Sequence, residues 1–174
     1  MTVHLILGGA RSGKSRFAER CALAQSDPLI YLATARAGDA EMQARIAHHQ
    51  AGRDVRFQTH ECPLELASAV AEFDQSGVTV LVDCLTLWLS NWLTENPEGW
   101  PQQRQVFLQT MAHTKGQWLL VSNEVGQGIV PLGELSRRFV DEAGWLHQEL
   151  AELANEVTWV VAGLAQRLKP THAI

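Results

Sequence analysis

The chain has 174 residues, a net charge of -5 and a hydrophobic fraction of 46%. This is enough for one domain, over 1–174, with a sizeable core, and the charge argues against nucleic acid as the main partner. No stretch approaches the ~20 apolar residues of a membrane span, and the N-terminus lacks the basic and long apolar regions of a secretory signal. The three cysteines, Cys21, Cys62 and Cys84, are odd in number and lack a C-x-x-C, so reduced thiols in a cytoplasmic protein are expected.

Val3-His4-Leu5-Ile6-Leu7 reads as a buried strand, and Gly8-Gly9-Ala10-Arg11-Ser12-Gly13-Lys14-Ser15 follows it directly. The octapeptide fits G-x-x-x-x-G-K-[ST], the phosphate-binding loop. Residues 16–25 then have helical periodicity, with Phe17, Cys21 and Ala24 on one side. Strand, loop and helix in that order are the context the motif needs. The glycines let the backbone curl with its N–H groups inward, making a nest for phosphate oxygens at a helix N-terminus. Lys14 is expected to reach the β- and γ-phosphates, and the Ser15 hydroxyl to ligate Mg²⁺.

Farther along, Leu29-Ile30-Tyr31-Leu32-Ala33 predicts a second buried strand, ending at Thr34, Ala35 and Arg36. A helix is expected over 39–52, with Asp39 as N-cap and Gly52 as stop. Residues 55–59 alternate as a strand does, and 63–73 read as a helix with Pro63 in its first turn. The β-branched run 78–83 predicts a strand closing on Asp83, and 86–93 an apolar helix. The cluster 96–101 marks a turn, 102–113 a polar helix, and 118–123 a further strand. A loop over 124–131, a long amphipathic helix over 132–154 and a strand over 157–161 complete the pattern.

Strands separated by helices imply right-handed crossovers, hence an α/β fold in three layers, a mostly parallel sheet flanked by helices. Ligands of such sheets bind beyond the carboxyl ends of the strands. The phosphate loop, residues 34–36, Asp83 and Asn123-Glu124 therefore form one set. Asp83 is expected to hold Mg²⁺ beside Ser15, its alternative role being to cap the next helix. Over the segment 39–53, i, i+4 spacing places Glu41, Arg45, His49 and Arg53 on one stripe. His48 and His49 point in different directions and so cannot chelate a metal as an i, i+4 pair can. An imidazole flanked by arginines is a competent nucleophile toward phosphorus; the alternative is a solvated charged face with two incidental histidines.

The phosphate loop, Arg45-Ile46-Ala47-His48-His49-Gln50-Ala51-Gly52-Arg53 and Asn123-Glu124-Val125-Gly126-Gln127-Gly128-Ile129-Val130-Pro131 occur in that order. Together they closely resemble the bifunctional adenosylcobinamide kinase / adenosylcobinamide-phosphate guanylyltransferase family of cobalamin biosynthesis, over essentially the full chain. The resemblance implies a P-loop NTPase fold similar to RecA-like cores, a homotrimer, and two reactions. ATP or GTP phosphorylates the aminopropanol hydroxyl of adenosylcobinamide. GTP then transfers GMP to that phosphate through a GMP–histidine intermediate, giving adenosylcobinamide-GDP and pyrophosphate. The histidine that this intermediate implies is placed at His49, which shares its stripe with Arg45 and Arg53, with His48 as its alternative. The resemblance places nucleotide contacts at Gly8 through Ser15, Thr34, Ala35, Arg36, Gln50, Ala51, Gly52, Arg53, Glu61 and Asp83. Gln50 stands where a basic residue would be the natural phosphate contact.

Two other readings fit the loop. A plain phosphate-loop metabolite kinase predicts no covalent nucleotide adduct, and a nucleotide switch or ATPase-type assembly module predicts no acceptor-dependent turnover. No N-K-x-D-type motif accounts for guanine preference. Most of the six tryptophans are expected in the core, leaving exposed ones as surfaces for a corrin macrocycle.

Overall fold

The computed structural model describes residues 2–38 and 52–170. Seven strands, β1 (Thr2–Gly8), β2 (Leu29–Ala33), β3 (Phe57–Glu61), β4 (Thr79–Asp83), β5 (Gln117–Asn123), β6 (Glu156–Val161) and β7 (Leu164–Lys169), form one sheet. Their order is β3-β2-β4-β5-β1-β6-β7, parallel throughout except for the final β6–β7 pair. Among the described residues the helices are α1 (Lys14–Leu23), α2 (Leu66–Phe73), α3 (Leu85–Glu95), α4 (Trp100–Met111) and α5 (Glu134–Leu153).

Alternation along the strands divides the core in two. Val3, Leu5 and Leu7 of β1, with Val80 and Val82 of β4, face the layer made by α2, α3, α4 and α5. Ile6, Tyr31, Leu81, Leu119 and Val121 point the other way, toward Ala18 and Ala22 of α1. Both faces are covered, which is why these strands read as nearly continuous apolar runs. Trp88 anchors the thicker layer, meeting Trp100 and Phe107 with ring centroids 4.9 Å away in each case. Trp92 and Trp118 are buried too, whereas Trp145 is half exposed. Among the described residues, no helix is long and apolar enough to cross a membrane.

The structure moves several predicted boundaries. The helix expected from Pro63 begins at Leu66, because the carbonyls before it serve side chains of α3. Asn91 donates to Pro63 O, and the indoles of Trp88 and Trp92 donate to Leu64 O. The strand expected over 55–59 is shifted to Phe57–Glu61 by a tight turn, in which Phe57 N–H donates to Asp54 O. Trp100 and Pro101, read as turn residues, open α4, where proline suits the first turn because its missing N–H has no intrahelical partner.

Strand β7 was not predicted. It forms a hairpin with β6 through Ala162 and Gly163, whose φ values of 52° and 79° are those of a type I′ turn. Its side chains are mostly exposed, so no buried face imposes an alternating pattern on Leu164-Ala165-Gln166-Arg167-Leu168-Lys169. The helix expected over 39–52, with Glu41, Arg45, His48, His49, Gln50 and Ala51, lies outside the described residues apart from Gly52, which is in a turn.

Candidate functional site: the phosphate loop and the ends of the strands

In-register parallel pairing brings the strand ends to one edge of the sheet. Gly8 pairs with Asn123 on one side and Val160 on the other. Ala33 lies between Asp83 and Glu61. The loop, Asp83 and Glu61 therefore share this edge, although β5 stands between β1 and β4 and separates their ends by two strand spacings, roughly 10 Å.

The loop turns back on itself after Gly8. Ser12 N–H donates to Gly9 O at 3.2 Å, and Arg11 and Gly13 have φ of 55° and 94°. Such left-handed residues aim successive N–H groups into a concavity. Gly13 caps α1 without a side-chain acceptor, so the dipole and free N–H groups of the helix N-terminus face the loop. The Lys14 ammonium donates to Gly9 O at 3.3 Å and is almost fully buried, and the buried Ser12 hydroxyl has no hydrogen-bond partner. Cationic and donor groups thus converge on a space fit for an anion.

The loop is locked from outside by the β6–β7 turn. Gly163 N–H donates to Ser12 O at 2.8 Å, and a side chain at Gly13 would lie 3.2 Å from Gly163 Cα. A Cβ at Gly8 would stand 2.6 Å from Val160 O and 2.5 Å from Ser12 Oγ, and the carbonyl has little room to retreat. We expect Gly8→Ala to lower stability by about 1–3 kcal/mol. Gly144→Ala, in α5 with no atom within 4 Å of the new methyl, is expected to raise it by about 0.5–1 kcal/mol. Urea titration measures both, and equal midpoints for the two variants would contradict this packing.

Asp83 is set by its neighbours. Tyr31 lies opposite Leu81, so its ring reaches the position two residues on, and its hydroxyl donates to Asp83 Oδ2 at 3.0 Å. Burial and the adjacent Asp83 charge hold the phenol far above its ordinary pKa, keeping it a donor. The Arg53 guanidinium stacks on the same ring, 3.4 Å from its centroid, and donates to Thr59 Oγ1 at 2.8 Å. Arg53, Tyr31 and Asp83 form a connected column that the sequence reading did not contain, since Tyr31 was read only as core.

Thr34 is fully buried, and all its polar groups are engaged. Its hydroxyl donates to Cys84 O and accepts from Cys84 N–H, its own N–H donates to Asp83 O, and Asn91 donates to its carbonyl. Thr34 thus fixes the ends of β2 and β4 relative to each other. Arg36, next but one, is exposed and paired with Glu95 of α3, and Glu61 is exposed at the end of β3. Cys84 is buried, which together with Asp83 pushes its thiol up to about 11, so it is neutral and inert.

A cleft of about 390 Å³ opens beside the loop, lined by Gly9 to Ser12, Glu124, Gln127 and the stretch from Trp159 to Ala162. Glu124 N–H donates to Gly8 O at 3.0 Å, and its side chain accepts from Gly126 N–H at 2.8 Å. Behind it, His147 of α5 has Nδ1 3.8 Å from Glu124 Oε2 and shares a 2.7 Å hydrogen bond between Nε2 and Ser122 Oγ. Asn123-Glu124 was placed at the strand ends by sequence pattern, but the tie to His147 needs α5 packed on the sheet.

Burial holds the pKa of His147 below its ordinary value against the opposing charge of Glu124, and likewise that of His4 against Glu156. A folded pKa below the unfolded one means that the unfolded chain takes up protons first as pH falls. The stability from these neutral histidines is therefore complete above about pH 6.5 and declines below it, by at most ~1.4 kcal/mol per pH unit per residue. The urea midpoint is expected to fall between pH 7.5 and 5.5, and to fall less in His4→Gln. An unchanged midpoint across that range would contradict it.

Comparison with known proteins agrees with the geometry. The family profile described as cobinamide kinase / cobinamide phosphate guanyltransferase matches residues 4–168. A bifunctional adenosylcobalamin biosynthesis protein, CobP, of Pseudomonas aeruginosa is 53% identical over 166 residues, covering 95% of this chain and 96% of that one. The similarly named CobU of Salmonella typhimurium is 36% identical, with coverage of 95% and 98%. In fold, the chain is similar to a Pyrococcus horikoshii protein (TM-score 0.59, 10% identity, covering 98% of this chain and 87% of that one). It is also similar to an ATPase of a bacterial type III secretion system (TM-score 0.52, 12% identity, 95% and 56%). The chain thus shares the α/β fold of these two structures. With a profile match spanning nearly every described element, the chain belongs to the cobinamide kinase / cobinamide phosphate guanyltransferase family.

Proposed function

We propose that the 174 residues act as one domain that phosphorylates adenosylcobinamide with ATP or GTP, then transfers GMP from GTP to the product, giving adenosylcobinamide-GDP and pyrophosphate. The observation that carries this reading is the Lys14-bearing anion nest at the α1 N-terminus, on the same sheet edge as Asp83, in a chain of this family. In the first reaction the nest and Lys14 position the triphosphate while the acceptor hydroxyl attacks in line. In the second, His49 attacks the α-phosphorus and pyrophosphate leaves; the acceptor phosphate then displaces the imidazole. Two easier displacements replace one. His48 is the alternative nucleophile.

Ser15 and Asp83 are the residues that would hold Mg²⁺. Tyr31 engages one Asp83 oxygen, and the carboxylate has a second for a cation. No cluster of three His, Cys, Asp or Glu residues suited to a metal occurs among the described residues. Few protein ligands completed by substrate phosphates is the usual mode for magnesium, so the donor set fits. The cation would neutralise phosphate charge. The nucleotide contacts proposed are Gly8 through Ser15, Thr34 through Arg36, Gln50 through Arg53, Glu61 and Asp83, Thr34 also bracing the strand ends. A cytoplasmic homotrimer is part of the same reading, supported by the exposed apolar side chains of Ile129, Val130, Leu132 and Leu135.

The test is incubation with adenosylcobinamide, GTP and Mg²⁺, followed by mass spectrometry of the corrinoid. Successive gain of a phosphate and of GMP is expected. Phosphate alone would leave a plain metabolite kinase, and nucleotide-dependent association without corrinoid turnover would leave a switch module.

A further inference from the structure

Phosphorylating an alcohol requires that its proton be accepted as the O–P bond forms. We propose that the Glu124 carboxylate accepts that proton and that His147 is the positioning residue that holds it. The inference rests on the kinase half of the reading above.

The acceptor must approach the γ-phosphorus beside the loop, and the cleft there is bounded by the loop and the ends of β5 and β6. Among the described residues lining it, Glu124 is the one carboxylate, and Arg11 is the other charged side chain. Asp83 is tied to the Tyr31 hydroxyl and does not line this cleft. Register fixes Glu124 at this spot. Asn123 pairs with Gly8, so Glu124 follows directly alongside the loop, its N–H anchored on Gly8 O.

Its side chain is also held. Oε1 accepts from Gly126 N–H at 2.8 Å, and Oε2 lies 3.8 Å from His147 Nδ1, in contact with the ring edge but beyond hydrogen-bond distance. Only a quarter of the side chain is exposed. The imidazole is in turn fixed by Ser122 Oγ, inside the core. This is how a base is kept in one orientation while still open to a cleft. Ser122 is itself completely buried, so the Ser122–His147–Glu124 arrangement is not a nucleophilic triad; its open end is the carboxylate.

In the step, the acceptor oxygen bonds to the γ-phosphorus and the bond from that phosphorus to the β–γ bridging oxygen breaks. The nucleoside diphosphate departs with that electron pair. The hydroxyl proton passes to Glu124, giving a neutral carboxylic acid that returns it to solvent.

The test is adenosylcobinamide phosphorylation by wild type, Glu124→Gln, His147→Gln and the double variant, with ATP affinity and melting temperature measured for each. Glu124→Gln is expected to lower kcat about 10²–10⁴-fold, to lose the acid limb of the pH–rate profile and to bind ATP within threefold of wild type. His147→Gln is expected to lower kcat with the KM for ATP unchanged, and to cause no further loss in the Glu124→Gln background. Ser122→Ala replaces it in the same cycle if His147→Gln does not fold. Glu124→Gln within threefold of wild type in kcat overturns the proton acceptor, and additive losses overturn the positioning role. Failure of wild type itself to phosphorylate the acceptor overturns the kinase reading, and this inference with it.

Discussion

Lys14→Met is expected to remove both phosphorylation and guanylyl transfer, each by about 10²–10³-fold, without destabilising the protein. The two reactions attack different phosphorus atoms, but both need the negative charge of the phosphate chain met inside the loop. The ammonium is nearly fully buried, donates to one carbonyl, and forms no ion pair among the described residues. A charge so placed is held at a desolvation cost to the folded chain, and methionine of similar length fills the space without it. The melting temperature is therefore expected to stay level or rise, an exchange of stability for function. Lys14→Arg is not expected to rescue, because a planar fork cannot replace a compact ammonium within so tight a turn. Initial rates of both reactions and a thermal melt decide it. Loss of one activity alone, or a melting temperature several degrees lower, would show that Lys14 serves the structure or only one reaction.

Much of this site can be read from residue pattern because its parts are local. Strand, glycine loop and helix are contiguous, and Asp83 closes a buried strand whose chemistry changes abruptly at its end. The parts that escape are those made by strand order. Buried parallel strands all read as apolar runs, so nothing in Trp118-Leu119-Leu120-Val121 says that it lies between β1 and β4. With the order unknown, the Tyr31–Asp83 bond could not be foreseen, since it crosses from β2 to a strand about fifty residues later. The β6–β7 hairpin escaped for a different reason. Its turn is Ala162-Gly163 rather than the usual Asn-Gly, and an exposed edge strand carries no hydrophobic alternation. Yet that turn locks the phosphate loop through Ser12. The paired histidines are the reverse case: the sequence pattern singles them out, and they lie outside the described residues.

His49→Ala is expected to separate the two activities that Lys14→Met removes together. On the mechanism proposed above the imidazole carries GMP, so adenosylcobinamide-GDP formation should fall below detection, while phosphorylation stays within about threefold of wild type. An imidazole attack on the α-phosphorus leaves a P–N bond, which is labile in acid and stable in alkali, unlike a serine or threonine ester. Incubation with α-labelled GTP and Mg²⁺, then denaturation, should give a label with that signature in wild type and none in His49→Ala. A label retained in His49→Ala and lost in His48→Ala moves the nucleophile by one residue and keeps the mechanism. A wild type that turns over adenosylcobinamide phosphate without ever carrying a label would mean that the acceptor phosphate attacks the α-phosphorus directly. The histidine pair would then act only through charge and orientation. The Lys14 result cannot make this distinction, because neutralising phosphate charge helps direct and two-step transfer alike; only a bond to nitrogen identifies the second.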